Sequence, residues 1–159
     1  MQVRLSPGAL AAFFALLLAA LSVPAASAQS ADEAAVAAVL TRYQTAIERL
    51  DASGTPELFA PESQIIEQGG IEGDYPTYLA NHLGPELAEF ASFDFDNHAV
   101  SIRVMGDVAF ATETYTYRIV LKDGRTIDRQ GAATSVLARE AGGWRIAQHH
   151  SSSRAPRAP

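Results

Sequence analysis

Cysteine is absent from the 159-residue sequence. Its absence excludes disulfides, thiolate catalysis, cysteine-ligated zinc and a lipid anchor on cysteine. Such a chain relies on its hydrophobic core for stability. Positive charge is also scarce: 12 Lys and Arg stand against 18 Asp and Glu, a formal net charge of −6. Arg125, Arg129, Arg139, Arg145, Arg154 and Arg157 are scattered rather than clustered. Displacing counterions from nucleic acid requires a concentrated cationic surface, so no nucleic-acid partner is expected. There is no GxSxG elbow, no glycine-rich phosphate loop and no dinucleotide fingerprint, and no cofactor is expected. Neither HxH nor HxxxH occurs. A metal site would need Glu67, His82 and His149 or His150 brought together in space, and none is expected.

Hydrophobic residues make up 48% of the chain and charged residues 19%, a globular balance. The length suits one domain, even after removal of a leader. Residues 1–28 read as an export signal: Arg4 supplies the basic start, Leu10 to Leu21 the apolar run, and Ala26-Ser27-Ala28 the small-residue cleavage site before Gln29. The apolar run is too short to span a bilayer comfortably. The mature chain is therefore expected to be periplasmic, with no membrane attachment after cleavage. Residues 154–159 read as a disordered tail.

Ser30 or Asp32 can cap a first helix, in which Val36, Val39, Leu40, Tyr43, Ile47 and Leu50 form one apolar stripe. Pro56 opens a short second helix that Pro61 ends. Ser63 to Gln68 is a short strand, Gly70 to Gly73 a loop, and Asp74 to Phe90 a helix interrupted at Gly84-Pro85. Long strands then run over about Phe93–Met105, Val108–Leu121 and Thr126–Arg139, with glycine at each intervening turn. The short gaps predict an antiparallel meander. The closing strand, Trp144 to Ser152, follows Gly142-Gly143.

That last stretch, a glycine turn followed by tryptophan, an aliphatic residue and a terminal His-Ser run after a helix-first chain, resembles the SnoaL-like, ketosteroid-isomerase-like superfamily. The resemblance covers roughly residues 32–153. It implies the fold of nuclear transport factor 2: α+β, with N-terminal helices packed on a strongly curved antiparallel sheet, and one domain over residues 29–153. It also implies a helix–sheet cavity and a homodimer formed through sheet faces. The superfamily contains isomerases, cyclases, dehydratases, ligand binders and assembly domains, so the fold leaves the activity open.

Two carboxylates are candidates for acid–base chemistry. Glu67 lies at a strand end before a glycine turn, where desolvation can tune it. Glu113 lies mid-strand on the face carrying Ala109, Ala111, Tyr115 and Tyr117, where a lone charge needs a partner. Arg129 or His149 is the expected partner. Tyr78, His82, His149 and His150 are the candidate ligand-binding groups, while His98 reads as surface. Adjacent residues on a regular strand point to opposite faces, so His149 and His150 cannot both reach a cavity. Strict alternation groups His150 with Trp144 and Ile146, but His149 faces inward if the opposite side is the covered one. The expected partner is a small, mostly apolar molecule. The chain is either its binder or an acid–base enzyme of the isomerase, cyclase or dehydratase type. A partner-binding or dimerisation domain is the third possibility.

Overall fold

The apolar stripe of the first helix finds its partner in a bent sheet. The computed structural model describes residues 25–156, so the expected signal segment up to residue 24 and the last three residues lie outside the described part. Helix α1 (Ala25–Glu48) buries Val36, Leu40 and Ile47, with Val39, Tyr43 and Leu50 packed around them. It ends where Leu50 takes a positive φ of 54°. Asp32 pairs with Arg139 at 2.6 Å rather than capping the helix, and the Arg139 guanidinium lies 4.3 Å over the Trp144 ring. This contact ties the start of α1 to the far strands.

A 3-10 turn, Pro56–Leu58, leads into β1 (Phe59–Glu67). Pro61 therefore lies in a strand instead of ending a helix. The proline occupies the interval between Phe59 and Gln64 where pairing with β6 shifts register, so its missing N–H interrupts no ladder. The expected loop at Gly70–Gly73 is a short edge strand, β2, paired antiparallel to β1. Among the described residues no helix is long and apolar enough to cross a membrane.

Residues 75–89 form one uninterrupted helical run, α2 (Tyr75–Tyr78), a π turn (Leu79–Leu83) and α3 (Gly84–Glu89). Asp74 caps it by accepting a hydrogen bond from Thr77 N at 2.9 Å. The expected break at Gly84-Pro85 is absorbed by the π turn, in which Gly84 N–H donates to the Leu79 carbonyl. The turn closes so tightly that a Cβ on Gly84 would sit 2.6 Å from that carbonyl oxygen.

Four long strands follow: β3 (Phe90–Met105), β4 (Val108–Leu121), β5 (Thr126–Glu140) and β6 (Gly143–Arg154). β6 runs past its expected end through Ser153 to Arg154. The six strands lie in the order β2-β1-β6-β5-β4-β3. The fold is α+β, as expected, but the sheet is mixed: β1 pairs parallel to β6, and the other pairings are antiparallel. Tight turns force antiparallel pairing only between sequence neighbours. β1 and β6 are joined through the helices and four strands, so no turn dictates their relative direction.

Two one-residue bulges set which side chains face α1. In β3, Asp96 opposes Thr116 and Ala99 opposes Thr114, so one extra residue lies on β3, with Asn97 at φ 52°. In β6, Ile146 opposes Leu137 and Gln148 opposes Val136, leaving Ala147 extra. Each bulge inverts the alternation beyond it. Before the β6 bulge Trp144 and Ile146 point inward; after it His149, Ser151 and Ser153 do. His150 is exposed on the outer face.

Candidate functional site

The concave side of the sheet, α1 and the helical run enclose a cavity of about 590 Å³, within the range of roughly 300–1,000 Å³ typical of small-molecule sites. One wall is aromatic. Phe93 and Phe95 on β3 and Tyr115 and Tyr117 on β4 share the inner face, with Phe93 and Tyr117 stacked at 5.1 Å and Tyr115 edge-on to Phe95 at 5.0 Å. Gly131 on β5 makes room for the Tyr115 ring, since a Cβ there would fall 2.2 Å from its Cε2.

A polar cluster occupies the end where β1, β2 and the π turn meet. Tyr78 Oη donates to Glu67 Oε2 at 2.6 Å. Burial, with help from Tyr43 and Glu67, pushes the Tyr78 hydroxyl far above its ordinary pKa, so it remains a proton donor. His82, one turn on, places Nδ1 3.1 Å from Glu72 Oε2 and Nε2 3.3 Å from Glu86 Oε1, with Glu67 Oε2 at 4.0 Å. The Glu72 hydrogen bond and the other two carboxylates raise the His82 pKa against the effect of burial. Glu86 is raised by burial and by Glu67, opposed by His82. The cluster is thus an imidazole caged by three carboxyl groups. Among the described residues no three His, Asp or Glu are arranged as metal ligands.

His149 reaches the cavity from β6. It is 8% exposed, Nδ1 lies 2.9 Å from Ser135 Oγ, and among the described residues no hydrogen-bond partner meets the other ring nitrogen. Burial, with His150 adding to it, lowers its pKa to about 4, so the ring is neutral near pH 7.

Glu113 lies behind this cavity. It borders a side pocket of about 40 Å³ shared with Tyr43, Tyr115, His98 and His149, room for about one water. Its partner is His98, with Nε2 2.9 Å from Oε1, rather than Arg129 or His149. His98 is no surface residue, because the β3 bulge turns it to the inner side. Glu113 is 7% exposed. Removing its partner strands a buried acceptor, so His98→Ala is expected to cost about 1–3 kcal/mol. Urea unfolding checks this, and a cycle with Glu113→Gln isolates the pair. A His98→Ala cost below about 0.5 kcal/mol would deny the pair any structural role.

Of the six candidate residues, the fold brings Glu67, Tyr78, His82 and His149 to one cavity, sets Glu113 beside it, and leaves His150 outside. Sequence reasoning missed Glu72 and Glu86. Glu86 stands four residues after His82 on a helix, a legible spacing. Glu72 was hidden in an apparent loop.

These features define a helix–sheet cone of the nuclear transport factor 2 type. Residues 36–156 match the family model of the SnoaL-like domain, and the chain belongs to that family. No curated protein matches the sequence. Similar solved structures include a nuclear transport factor 2-like superfamily protein from Salmonella enterica serovar Typhimurium LT2, 24% identical over 81% of this chain and 94% of that one, TM-score 0.70. A protein from Streptomyces avermitilis, named as a candidate dehydratase of the same fold family, is 20% identical over 80% and 99%, TM-score 0.70. A protein from Shewanella frigidimarina NCIMB 400, named as a candidate ketosteroid isomerase, is 24% identical over 74% and 94%, TM-score 0.65. Likeness at these identities carries the fold alone.

Proposed function

We propose that this protein binds a small, mostly apolar molecule in the cavity, oriented by the Tyr78–Glu67–His82 cluster. The observation that carries this reading is a polar cluster opening onto a 590 Å³ space walled by Phe93, Phe95, Tyr115 and Tyr117. Apolar walls supply affinity and a few fixed polar groups supply orientation. Native mass spectrometry of protein purified from its source compartment tests it: a bound small molecule is expected, with occupancy reduced at least about tenfold in Glu67→Gln and His82→Ala. Full occupancy in both variants would remove these residues from the site.

The second reading, acid–base catalysis on the same molecule, is favoured by His149. A neutral imidazole with one unpartnered nitrogen at the cavity wall can accept a proton, and Tyr78 can polarise a carbonyl. His149→Gln, which leaves the orienting cluster intact, separates the two readings: retained binding with lost turnover marks an enzyme. No turnover of any bound molecule by the unaltered protein leaves a binder.

Two further proposals concern the chain's setting. Cleavage before Gln29 and residence outside the cytoplasm are supported by the signal-like residues 1–28. N-terminal sequencing of the exported protein checks this, and an uncleaved species in the membrane fraction would refute it. Homodimerisation through the outer sheet face is supported by its charge-free rows Ala99–Thr114–Ala132–Ser152 and Ser101–Thr112–Thr134–His150, beside the exposed Phe110 and Val108. Such a face suits a second copy of itself about a two-fold axis. Light scattering that reports only monomer at high micromolar concentration would overturn it.

A further inference from the structure

Arg129 stands apart from the other arginines. It lies on the inner face of β5 opposite Tyr117, half-buried in the cavity wall. Among the described residues its side chain makes one hydrogen bond, from Nη1 to the carbonyl of its neighbour Asp128, at 3.1 Å. Arg42, Arg118, Arg125, Arg139 and Arg145 each pair with a carboxylate. The other described arginines without such a pair, Arg49, Arg103 and Arg154, are exposed. Arg129 is thus the one described arginine that is drawn into this cavity wall with no ion-paired carboxylate. Its guanidinium has five N–H donors, and four of them remain for a ligand.

On another side Arg129 borders a second recess with Asp94, Asp96 and Asp128, none within ion-pair distance of it. Asp128 pairs with Arg118 at 2.8 Å, Asp94 accepts from Ser92 at 3.1 Å, and Asp96 accepts from the Asn97 N–H at 2.9 Å. The groups that do sit with Arg129 on the cavity side are neutral donors and acceptors. Tyr117 Oη donates to Ser153 Oγ at 2.9 Å, and Gln68 Nε2 donates to the same oxygen at 2.8 Å. On the cavity side the surroundings of Arg129 are therefore polar hydroxyl and amide groups.

The opposite end is acidic. Glu67 is level with Ser151 and Ala133, whereas Arg129 lies one strand beyond Ser151 and four residues along β5 from Ala133. Glu67, Glu72 and Glu86 repel an anion from their end, and Arg129 attracts one to its own. Between them on the sheet lies β6 with Ser151 and Ser153, and the aromatic wall flanks Arg129 on its other side, on β4 and β3.

We propose that Arg129 anchors the anionic group of the cavity's ligand, which makes the ligand class an apolar acid: a ring or chain body carrying a carboxylate. The inference rests on the cavity-binding reading above and deepens it. The carboxylate takes the forked guanidinium edge, the body lies along Phe93, Phe95 and Tyr117, and the far end meets Tyr78, Glu67 and His82. An arginine suits this role because its planar fork matches a carboxylate in two parallel hydrogen bonds.

The test is calorimetric titration of the full mature chain with matched pairs of acids and their neutral primary amides: 2-naphthoate with 2-naphthamide, 4-phenylbutyrate with 4-phenylbutyramide, and decanoate with decanamide. At least one acid is expected to bind about tenfold or more tighter than its amide. Arg129→Gln is expected to abolish that preference by weakening the acid and leaving the amide within about twofold. Arg129→Lys, which keeps the charge and loses the fork, is expected to fall between. Unfolding midpoints of both variants confirm that they fold. Equal binding of acids and amides by the unaltered protein, or an acid preference that survives Arg129→Gln, overturns the anchor and leaves the cavity reading standing. Failure of every acid and every amide to bind overturns the cavity reading, and the anchor with it.

Discussion

Between pH 7 and pH 4 the unaltered protein is expected to lose about 3 kcal/mol more folding stability than a His149→Gln variant. The cause is the neutral, buried imidazole at the cavity wall. In the unfolded chain a histidine takes up its proton near pH 6.5, whereas in the folded protein burial and His150 lower that value to about 4. As the pH falls through this window the unfolded state binds more protons than the folded one, so folding is penalised. Stability is therefore present above pH 6.5 and lost down to about pH 4, below which the loss levels off. His82 works in the opposite sense. Its folded pKa is raised, chiefly by Glu72, so it adds stability below its unfolded pKa and loses that contribution as pH rises through its folded pKa. That contribution is common to both proteins and cancels in the comparison. Urea unfolding at several pH values measures the difference. Parallel profiles for the two proteins would mean that His149 is not held neutral by the fold.

Gly84→Ala is expected to cost about 2–3 kcal/mol, whereas a routine glycine-to-alanine change in a helix interior stabilises by about 0.5–1 kcal/mol. The new Cβ would meet the Leu79 carbonyl oxygen at 2.6 Å. Both partners belong to the backbone, so no side chain can swing aside. Relief requires opening the π turn that carries His82 between Glu72 and Glu86. The substitution should therefore weaken ligand binding as well as stability. Gly54→Ala is the control, because nothing lies within 4 Å of a Cβ there, and its cost should stay below about 1 kcal/mol. Equal unfolding free energies for the two variants would show that the π turn is not constrained at Gly84.

Both predictions depend on features that a residue-by-residue reading handles poorly. The long strands were legible because their periodicity and glycine turns are local, and β4 falls at its expected ends, Val108 and Leu121. The stripe on α1 was legible for the same reason, as was the placement of Glu67 at a strand end beside a glycine turn. The side reached by each histidine was not legible. Strict alternation places His150 with Trp144 and Ile146, but the extra residue at Ala147 turns His149 inward. The same event in β3 brought His98, read as surface, onto Glu113. A bulge depends on how two strands pair, and pairing is a property of both strands together.

The sequence by itself determined the helix-first order, the meander, the absence of thiol chemistry and the acidic balance, because these follow from composition and short-range periodicity. It also held the residue types of the site: Glu67, Tyr78 and His82. Only the tertiary structure decided the parallel seam between β1 and β6, which sets Glu67 level with Ser151. It also decided the caging of His82 by Glu72, Glu67 and Glu86, carried on β2, β1 and α3, and the placing of Arg129 in the cavity wall. The reason is physical. Contacts between residues distant in the chain depend on register and curvature, and a single bulge inverts every side chain beyond it.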